Sequence, residues 1–566
     1  MRIQTSFLII FFLAIAVRLP LVNDPPYSDE ILWPSLAHAD NLMLDTQRVL
    51  FQPPISHFFF WFISKVVGSS IVAFRIGMLL FSIASLVLIY SIAKKIYNPQ
   101  VGMLALLLAA FSFYMVESST IIEIDGLLVF FSLLSIYFYL LFDKYREKKY
   151  LFGISIVLGL AFLSRANAVW IAIAILLYHL TKNRYSFTSV KTIGLCMFGI
   201  VAIYALFPLT AYLLSDNGEW SYWSYFLQTV KHVGDSAGDI QDKLPKGIAL
   251  VVLALWATPF FIILPFLRKE KIAGEKLLFS FFGVTLFFLT FVVSKGGYDR
   301  YWTLAFPVLI ILSAKALHDF HITYRELVLS VFSGVLFLIT YEAVAYLFPA
   351  VPVIRSFSVY LERILALQWS FFFPLTIDHG PWFGMNFLLL VLGWIVALAL
   401  LGSHFLAQKK IARLFLLLFL SSSLAFNTFL LLELVYPVTG HDYPGIVADA
   451  LSFVRENEKA VPEEKWPIYS TDKAVIYELQ PSFYGFHDDK LLPPQKQGGK
   501  KIAGYRIEDM DDLRNKTKTR GGTIIFINFT PYVAQEAIDL LSYCHKQRHY
   551  EQRGVVLGGV YTCDKQ

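Results

Sequence analysis

The sequence predicts a mainly α-helical, polytopic membrane protein with a small α/β region in its C-terminal part. Its 566 residues are 57% hydrophobic and only 16% charged, whereas about 25% are charged in a typical soluble domain. Its mean hydropathy is +0.59, and apolar runs of membrane-spanning length recur along most of the chain. This composition cannot cover a soluble surface, so it excludes a soluble enzyme, a disordered scaffold and a nucleic-acid-binding protein.

The apolar runs predict the transmembrane bundle. A helix needs about 20 predominantly apolar residues to cross a bilayer. Such runs begin near residues 5, 70, 101, 126, 151, 167, 190, 247, 277, 301, 327, 383 and 411. We therefore expect about 13 transmembrane helices in a first domain, residues 1–436, with long loops on one side of the membrane.

The distribution of basic residues predicts the orientation of this bundle. Short alternate loops carry Lys94, Lys95, Lys144, Arg146, Lys148, Lys149, Lys182, Arg184, Lys191, Arg268, Lys269, Lys271, Lys276, Lys315, Arg325, Lys409, Lys410 and Arg413. Cytoplasmic loops of membrane proteins are enriched in Lys and Arg. We expect a multi-pass protein of the plasma or inner membrane, with a cytoplasmic N-terminus and an extracytoplasmic C-terminal part. The basic clusters are then topology signals rather than ligand sites.

The polar tail, residues 437–566, is expected to form a small extracytoplasmic α/β domain. Strand candidates are Pro467–Thr471, Gly522–Phe529 and Gly554–Thr562, and Pro531–Gln547 has the pattern of an amphipathic helix. No catalytic motif is recognisable in it.

Three cysteines in the whole chain exclude a disulfide scaffold and a Cys-rich metal site. Cys196 lies in an apolar run and is expected to serve packing. Cys544 and Cys563 leave two alternatives open: a disulfide in an oxidising compartment, or two buried thiols.

Adjacent carboxylates follow the first apolar run. Asp29 and Glu30 lie in the sequence Pro-Pro-Tyr-Ser-Asp-Glu. Such a pair at a membrane surface can act as a general base and its supporter, or bind a cation. The alternative is a solvated helix start, because Ser-Asp is also good N-cap chemistry.

Further polar residues occur in the same loop and in the next loop on that side. Gln52 precedes a Pro-Pro pair, and His57 follows it beside an aromatic cluster; an interfacial turn with an incidental His is the alternative. The next loop contains Glu123 and Asp125. Acidic groups at the membrane edge are costly unless they are solvated, paired or bound to a metal.

Basic residues on this face complete the candidate site. Arg165 interrupts two apolar runs, and Lys295 and Arg300 precede another. Arg and Lys suit the binding of a phosphate headgroup at the interface. Ordinary snorkelling at helix ends is an equally good explanation for each of them alone.

The order of these motifs resembles the polytopic glycosyltransferases of the GT-C fold, in the superfamily of protein O-mannosyltransferases and the lipid A aminoarabinose transferase. The motifs occur in this order: Asp29-Glu30, Pro53-Pro54-Ile55, Arg75, Asp125-Gly126-Leu127-Leu128, Gly159-Leu160-Ala161-Phe162-Leu163-Ser164-Arg165, and Lys295 and Arg300-Tyr301 ahead of Pro307. The pattern covers about residues 1–320. Each motif alone is weak, and their order and common side of the membrane make the set specific.

The resemblance implies an inverting transfer of a sugar from a polyprenyl-phosphate donor to a hydroxyl acceptor at the outer membrane face. Asp29 would be the general base, supported by Glu30. Asp125 would help to bind the donor phosphate, directly or through a divalent cation. The remaining candidates are Arg165, Lys295 and Arg300 for the lipid phosphate and Gln52, His57 and Glu123 for substrate binding.

Two departures prevent the donor sugar from being copied from the aminoarabinose branch. Where that branch has a basic residue soon after Asp-Glu, this chain has Ile31-Leu32-Trp33, and where it has Glu-Lys before Pro, this chain has Gln52-Pro53-Pro54. The sugar stays open, as do the acceptor (lipid, glycan or protein) and the metal requirement. The main competing interpretation is a transporter or lipid flippase, and a third is a lectin-like or structural protein that uses the tail.

Overall fold

The structure is a computed structural model of the chain. The described residues are 3–23, 54–68, 70–122, 124–165, 168–183, 187–214, 264–267, 272–291, 303–320, 323–347, 409–435, 443–458, 468–470, 504–506, 515, 518–519, 522–527, 543–552 and 555–564. Asp29, Glu30, Gln52, Lys295 and Arg300 lie outside these ranges. Glu123 also lies outside them.

Within these ranges the chain is mainly helical. Its α-helices are α1 (Ile3–Arg18), α2 (Pro54–Val66), α3 (Ile71–Ile96), α4 (Pro99–Ala110), α5 (Phe113–Glu117), α6 (Ile124–Tyr145), α7 (Lys148–Ser164), α8 (Val169–Lys182), α9 (Phe187–Leu214), α10 (Ala273–Phe291), α11 (Phe306–Asp319), α12 (Tyr324–Leu347), α13 (Lys409–Val435) and α14 (Tyr443–Glu458). Short 3-10 turns cover Pro20–Asn23 and Leu264–Leu267.

The helices agree with the predicted apolar runs. Each predicted run coincides with a described helix, except the runs near residues 247 and 383, which lie outside the described ranges. In the described part, three segments are long and apolar enough to cross a membrane: Thr5–Asn23, Ile71–Ile96 and Asp125–Tyr145. The expectation of a mainly helical, integral membrane protein is therefore confirmed.

Local sequence explains where several helices begin. Ser70 caps α3 by accepting a hydrogen bond from the amide of Ala73, and Asn98 caps α4, which has Pro99 at its first position. At the start of α12, the Thr323 amide and hydroxyl donate to Glu326, and the Glu326 amide donates back to the Thr323 hydroxyl at 3.4 Å. This reciprocal pattern is a capping box.

Polar contacts define the two ends of the bundle. At one end, the Lys182 Nζ lies 2.5 Å from the Asp143 carboxylate, which joins the ends of α6 and α8. The Tyr97 hydroxyl after α3 donates to Glu275 in the first turn of α10. Arg413 in α13 forms a bidentate ion pair with Glu326. We call this end the Asp143 end, and the opposite end, where α6 begins and α7 ends, the Asp125 end.

Small residues allow close packing of α7 against α9. A Cβ atom built on Gly159 would lie 2.5 Å from the side chain of Ile203, and one on Gly199 would lie 2.6 Å from the Cβ of Ser155. The Ser155 hydroxyl donates to the carbonyl of Cys196. Small residues let membrane helices approach closely, so Gly159 in the Gly-Leu-Ala motif has a packing role.

In the described residues of the C-terminal part, five strands form one sheet. Its strands are β1 (Ile468–Ser470), β2 (Gly504–Arg506), β3 (Gly522–Ile527), β4 (His545–Gln552) and β5 (Val555–Cys563), in the spatial order β2-β1-β3-β5-β4. β1 pairs in parallel with β2 and β3, and β5 pairs antiparallel with β3 and β4. Helix α14 packs Val447, Ala450 and Val454 against Ile525 and Val560 of this sheet.

The sheet confirms the three predicted strands and corrects the end of the predicted helix, whose residues 531–542 lie outside the described ranges. Residues 545–547, the end of the segment Pro531–Gln547, lie in strand β4 and not in a helix. The pattern misled because residues 545–549 are all exposed on an edge strand, which shows no inside-outside alternation. Cys544 and Cys563 form a disulfide that joins the start of β4 to the end of β5. Of the two alternatives for these cysteines, a disulfide or two buried thiols, the structure shows the disulfide. Cys196 is a free, buried thiol, as expected for packing.

Candidate active site

Asp125 and Arg165 form an ion pair at the Asp125 end of the bundle. Asp125 lies in the first turn of α6, and Arg165 follows the last residue of α7 with an extended backbone. These helices are antiparallel neighbours, so the start of one meets the end of the other. The Asp125 and Arg165 side chains are 10% and 16% exposed, so water screens the pair only weakly.

The pair leaves one carboxylate oxygen open. Arg165 donates to Oδ1 of Asp125, whereas Oδ2 is buried and has no hydrogen-bond partner in the described structure. The pair carries no net charge, and one guanidinium nitrogen of Arg165 is engaged by Asp125. Such an arrangement can present a planar donor group to an anion while the open oxygen accepts a hydrogen bond.

The chain around Asp125 is packed tightly. Ser119 and Thr120, in the turn after α5, are buried. A Cβ atom built on Gly126 would lie 2.7 Å from the terminal methyl group of Met78 in α3, so the start of α6 lies close to α3. The Asp-Gly sequence thus places the carboxylate in a confined position.

Arg18, the last residue of α1, is a buried arginine for which the sequence motifs predict no role. Its side chain is 0% exposed. Nη1 donates to the carbonyls of Ala14 and Ala110, both at 2.8 Å, and Nη2 donates to those of Ala109 and Met115, both at 3.3 Å. Its charge therefore faces carbonyl oxygens at the C-terminal end of α4, where the helix dipole is negative.

Arg75 lies near the start of α3 and is 1% exposed. Its Nη1 donates to the carbonyl of Leu21 at 2.5 Å. Leu21 belongs to the 3-10 turn Pro20–Asn23 and packs with Val116 and Leu431. Arg75 thus fastens the turn that leads toward Asp29.

Asn427 of α13 binds the break between α4 and α5. Its Nδ2 donates to the Phe111 carbonyl at 2.6 Å, and its Oδ1 accepts from the Phe113 amide at 2.9 Å. The backbone groups left open by the break are therefore satisfied by a distant side chain. The amide of Asn427 lies inside the apolar run that begins near residue 411, and the sequence motifs alone predict no role for it.

The structure brings together two of the predicted site residues, Asp125 and Arg165. His57 lies in the helical backbone of α2, and its side chain is outside what is described. The remaining candidates fall outside the described ranges, as stated above, so their roles stay predictions. Among the described residues, no group of three or more His, Cys, Asp or Glu side chains is placed to hold a metal ion.

A family of known proteins matches part of the chain. The sequence model of the family described as dolichyl-phosphate-mannose-protein mannosyltransferase matches residues 51–225. This range contains Asp125 and Arg165, whereas Asp29 and Glu30 precede it. No curated protein sequence matches the chain.

Several solved structures resemble the whole chain. ArnT from Cupriavidus metallidurans bound to undecaprenyl phosphate has a TM-score of 0.57 and 12% identity, over 99% of this chain and 98% of that chain. The apo state of the same protein has a TM-score of 0.54 and 12% identity, with the same coverage. Archaeal oligosaccharyltransferase AglB from Archaeoglobus fulgidus, in complex with an inhibitory peptide and a dolichol-phosphate, has a TM-score of 0.42 and 12% identity, over 98% of this chain and 74% of that chain.

The two kinds of comparison answer different questions. At 12% identity, the likeness to ArnT shows the fold, and it confirms the expected GT-C fold. The family match covers the segment that contains the Asp125–Arg165 pair and shows similarity to protein mannosyltransferases over residues 51–225. It confirms the expected enzyme class, a glycosyltransferase.

Proposed function

We propose that the chain, a glycosyltransferase with the GT-C fold, moves a sugar from a polyprenyl-phosphate donor to a hydroxyl acceptor with inversion at the anomeric carbon. The observation that carries the proposal is the Asp125–Arg165 pair, which lies at the same end of the bundle as the turn leading to Asp29. The undecaprenyl phosphate bound to the ArnT structure supports a lipid phosphate as the donor group.

The charge distribution supports an extracytoplasmic location for this end. Most described basic residues in helix ends and loops of the bundle lie at the Asp143 end: Lys94, Lys95, Lys144, Arg146, Lys148, Lys149, Lys182, Lys191, Lys276, Lys315, Arg325 and Arg413. The Asp125 end has fewer, namely Lys65, Arg18, Arg75 and Arg165. By the positive-inside rule the Asp143 end is cytoplasmic. The Asp125 end then faces outward, and the Cys544–Cys563 disulfide agrees with an oxidising compartment for the tail.

The domain division proposed from the sequence fits this arrangement. Residues 1–436 form the transmembrane catalytic domain, and residues 437–566 form the extracytoplasmic α/β domain. The separate apolar core between α14 and the sheet supports a division near residue 437.

The proposed reaction needs few chemical groups. Asp29 takes the proton from the acceptor hydroxyl, whose oxygen attacks the anomeric carbon on the face opposite the phosphate. The bond from that carbon to the phosphate oxygen breaks, and the polyprenyl phosphate leaves with the bonding electron pair. Glu30 supports the base. Positioning and charge stabilisation supply most of the rate enhancement, because the phosphate is already a good leaving group.

The remaining candidates have roles in binding. Arg165, oriented by Asp125, donates to the phosphate of the donor, and Lys295 and Arg300 add positive charge there. Gln52, His57 and Glu123 are candidates for contacts to the sugar or the acceptor. A divalent cation, when bound, would supply further charge stabilisation of the phosphate, and the open oxygen of Asp125 is one ligand suited to it.

The test uses purified protein in lipid nanodiscs and a panel of radiolabelled polyprenyl-phosphate sugars. Wild type should consume one donor and release polyprenyl phosphate, and Asp29→Asn should lower turnover by about 100-fold or more at equal amounts of folded protein. Asp319→Asn is the matched control, because it changes the same functional group at the Asp143 end, and it should retain wild-type turnover.

Two outcomes would contradict the proposal. Asp29→Asn turning over as fast as wild type would remove the assignment of the base. Movement of an intact labelled donor between leaflets, with no sugar transfer to any hydroxyl acceptor in the panel, would instead favour the flippase interpretation.

A further inference from the structure

Two lysines from different helices meet at one tyrosine ring at the Asp143 end of the bundle. The Nζ of Lys95, in the last turn of α3, lies 5.4 Å from the centroid of the Tyr145 ring. The Nζ of Lys144 lies 5.1 Å from the same centroid. Tyr145 is the last residue of α6 and is 48% exposed. Both ammonium groups are therefore held beside one accessible aromatic ring.

A tight turn between α6 and α7 brings a second tyrosine to this ring. Only Arg146 and Glu147 separate the two helices, and Arg146 adopts a φ of 58°, in the left-handed region where helices commonly end. The chain therefore reverses at once, and the Tyr150 ring lies 5.9 Å from the Tyr145 ring. The Lys149 Nζ lies 5.0 Å from the Tyr150 centroid. We use the name Tyr145 corner for Lys95, Lys144, Tyr145, Lys149 and Tyr150.

Protein carboxylates balance only part of the charge at the Tyr145 corner. Lys149 forms an ion pair with Glu147 at 2.6 Å. Asp143, in the last turn of α6, is already bound by two other basic side chains. No carboxylate among the described residues pairs with Lys95 or Lys144. Neighbouring like charges repel each other, so an anion in contact with both of these lysines would be favourable.

The positive-inside rule predicts basic residues at this end but not their convergence. The rule concerns the number of Lys and Arg residues in short loops, and scattered lysines would satisfy it. Lys315 at the same end also lies over a tyrosine ring, but Asp319 neutralises it within its own helix. The Tyr145 corner instead gathers cations of three helices, two of them without a matching carboxylate, which favours a bound anion.

An exposed apolar surface adjoins the corner and indicates the kind of anion. Phe152 of α7 is 67% exposed and follows Lys148 and Lys149 by one helical turn, so these side chains share a face of the helix. α7 runs from the Asp143 end toward the Asp125 end, so Phe152 lies deeper in the membrane than the two lysines. A phosphate group joined to a hydrocarbon chain matches this order of surfaces, whereas a free phosphate ion contacts only the charge.

We propose that the Tyr145 corner binds an anionic phospholipid in the leaflet at the Asp143 end, which the proposed topology makes the cytoplasmic leaflet. Lys95 and Lys144 bind the phosphate group, Tyr145 holds both lysines by cation–π contact, and Phe152 packs along an acyl chain. A zwitterionic headgroup brings an ammonium group of its own among the lysines, so an anionic headgroup binds more tightly. This site lies at the opposite end of the bundle from the candidate active site, and it goes beyond the proposed function.

Native mass spectrometry of the purified full chain tests the proposal by counting bound lipids in a titration. The probes are phosphatidylglycerol and phosphatidylethanolamine with identical acyl chains. Wild type should bind the first phosphatidylglycerol more tightly than the first phosphatidylethanolamine, by about 10-fold or more. The two unpaired lysines together should contribute about 30-fold to the affinity, so Lys95→Gln/Lys144→Gln should weaken phosphatidylglycerol binding by about that factor.

A matched control removes the same charge from the same end. Lys276→Gln/Lys315→Gln neutralises lysines of α10 and α11 that share no aromatic ring in the described contacts. It should bind phosphatidylglycerol within about 2-fold of wild type, because screening weakens the effect of distant charges. Lys95→Arg/Lys144→Arg keeps both charges and should recover most of the affinity. If the glutamine variant of the corner does not fold, Tyr145→Leu removes the ring alone and should weaken binding by about 3-fold.

Several results would overturn the inference. They are equal affinities of wild type for the two lipids, no loss of affinity in the variants of the corner, and an equal loss in the matched control. Displacement of phosphatidylglycerol by an excess of inorganic phosphate would also overturn it, because the site would then bind an ion without a lipid. The measurement needs no sugar donor, so its result is independent of the proposed glycosyl transfer.

Discussion

Arg18 and Arg165 lie at the same end of the bundle, but their charges are balanced differently. Arg165 faces the carboxylate of Asp125, whereas Arg18 faces the carbonyls of Ala109, Ala110 and Met115. Carbonyl dipoles fix a guanidinium without neutralising it, and a carboxylate does both. Arg18 therefore binds backbone carbonyls, whereas Arg165 belongs to a neutral pair in which Oδ2 of Asp125 has no hydrogen-bond partner in the described structure.

Because the Asp125–Arg165 pair is mostly buried, removal of one partner should be costly. We expect Asp125→Asn and Arg165→Gln each to lower the free energy of unfolding by about 2–4 kcal/mol. The double variant should lose less than the sum, with a coupling energy of about 1–3 kcal/mol. Denaturant-induced unfolding of the purified protein in mixed micelles measures all four states of the cycle.

The Lys315–Asp319 pair is the control for that cycle. It lies on one helix, and its partners are 19% and 38% exposed, so its coupling energy should not exceed about 0.5 kcal/mol. Equal coupling energies for the two pairs would show that burial of the Asp125–Arg165 pair has no energetic effect.

At single positions, the sequence identifies candidate site residues where an ionisable side chain interrupts an apolar run. It does not identify their contacts where the partners are remote in the chain. Asp125 and Arg165 are recognisable as candidates, but their pairing requires α6 and α7 to be placed side by side. Arg18 has a local signal, since the apolar Leu19-Pro20-Leu21-Val22 continues beyond it and an interfacial arginine would end the run. Its carbonyl partners in α4 and α5, more than 90 residues away, have no signature in the sequence.

At the scale of elements, the capping box of α12 links helix initiation to helix pairing. Glu326 accepts from the Thr323 amide and also binds Arg413 of α13. Glu326→Ala should therefore lower the thermal stability of the protein, by about 1–2 kcal/mol of unfolding free energy, because it removes a cap and an ion pair together.

The α12 variant needs a comparison on the same helix. Thr340→Ala removes a hydroxyl that donates to the backbone one turn earlier, so it should change stability by less than about 0.5 kcal/mol. A thermal-unfolding series that ranks the two variants in the opposite order would contradict the role of the capping box.

The disulfide should stabilise the sheet by constraining its unfolded state. Cys544 and Cys563 are separated by 19 residues, and closing a loop of that length contributes about 3 kcal/mol. Replacing both with Ser should speed hydrogen–deuterium exchange in β5 by about 100-fold. Cys196→Ala, which removes the buried thiol of α9, should leave exchange in the sheet unchanged.

Strand β4 could not be predicted from its own sequence. The spans and β1, β3 and β5 have apolar patterns that indicate their structure directly. β4 is held instead by its pairing with β5, by the disulfide and by the contact of the Tyr550 hydroxyl with Asp449 at 2.9 Å. The pairing with β5 is that of a hairpin, whereas the contact with Asp449 comes from about 100 residues away, and the polar sequence of β4 itself has no apolar alternation that would predict a strand.

At the scale of the whole molecule, the helix ends fall into two groups, the Asp143 end and the Asp125 end. Most of the described basic residues lie at the Asp143 end. This distribution predicts the result of a sidedness experiment. In right-side-out vesicles, a membrane-impermeant maleimide should label Asn515→Cys in the tail but should label Lys149→Cys only after permeabilisation. Both positions are exposed, and the native cysteines are either buried or disulfide-bonded. Labelling of both positions in sealed vesicles would contradict the proposed topology.

The order of the sheet has a consequence for the biogenesis of the protein. β5 lies between β3 and β4, yet it is the last of the five strands to be synthesised. Until residues 555–563 have been synthesised, β3 has no partner on the side that β5 occupies, and Cys544 has no disulfide partner. The sheet can therefore close only after synthesis has passed Cys563, and with the proposed extracytoplasmic location of the tail the disulfide then forms after translocation of the last strand.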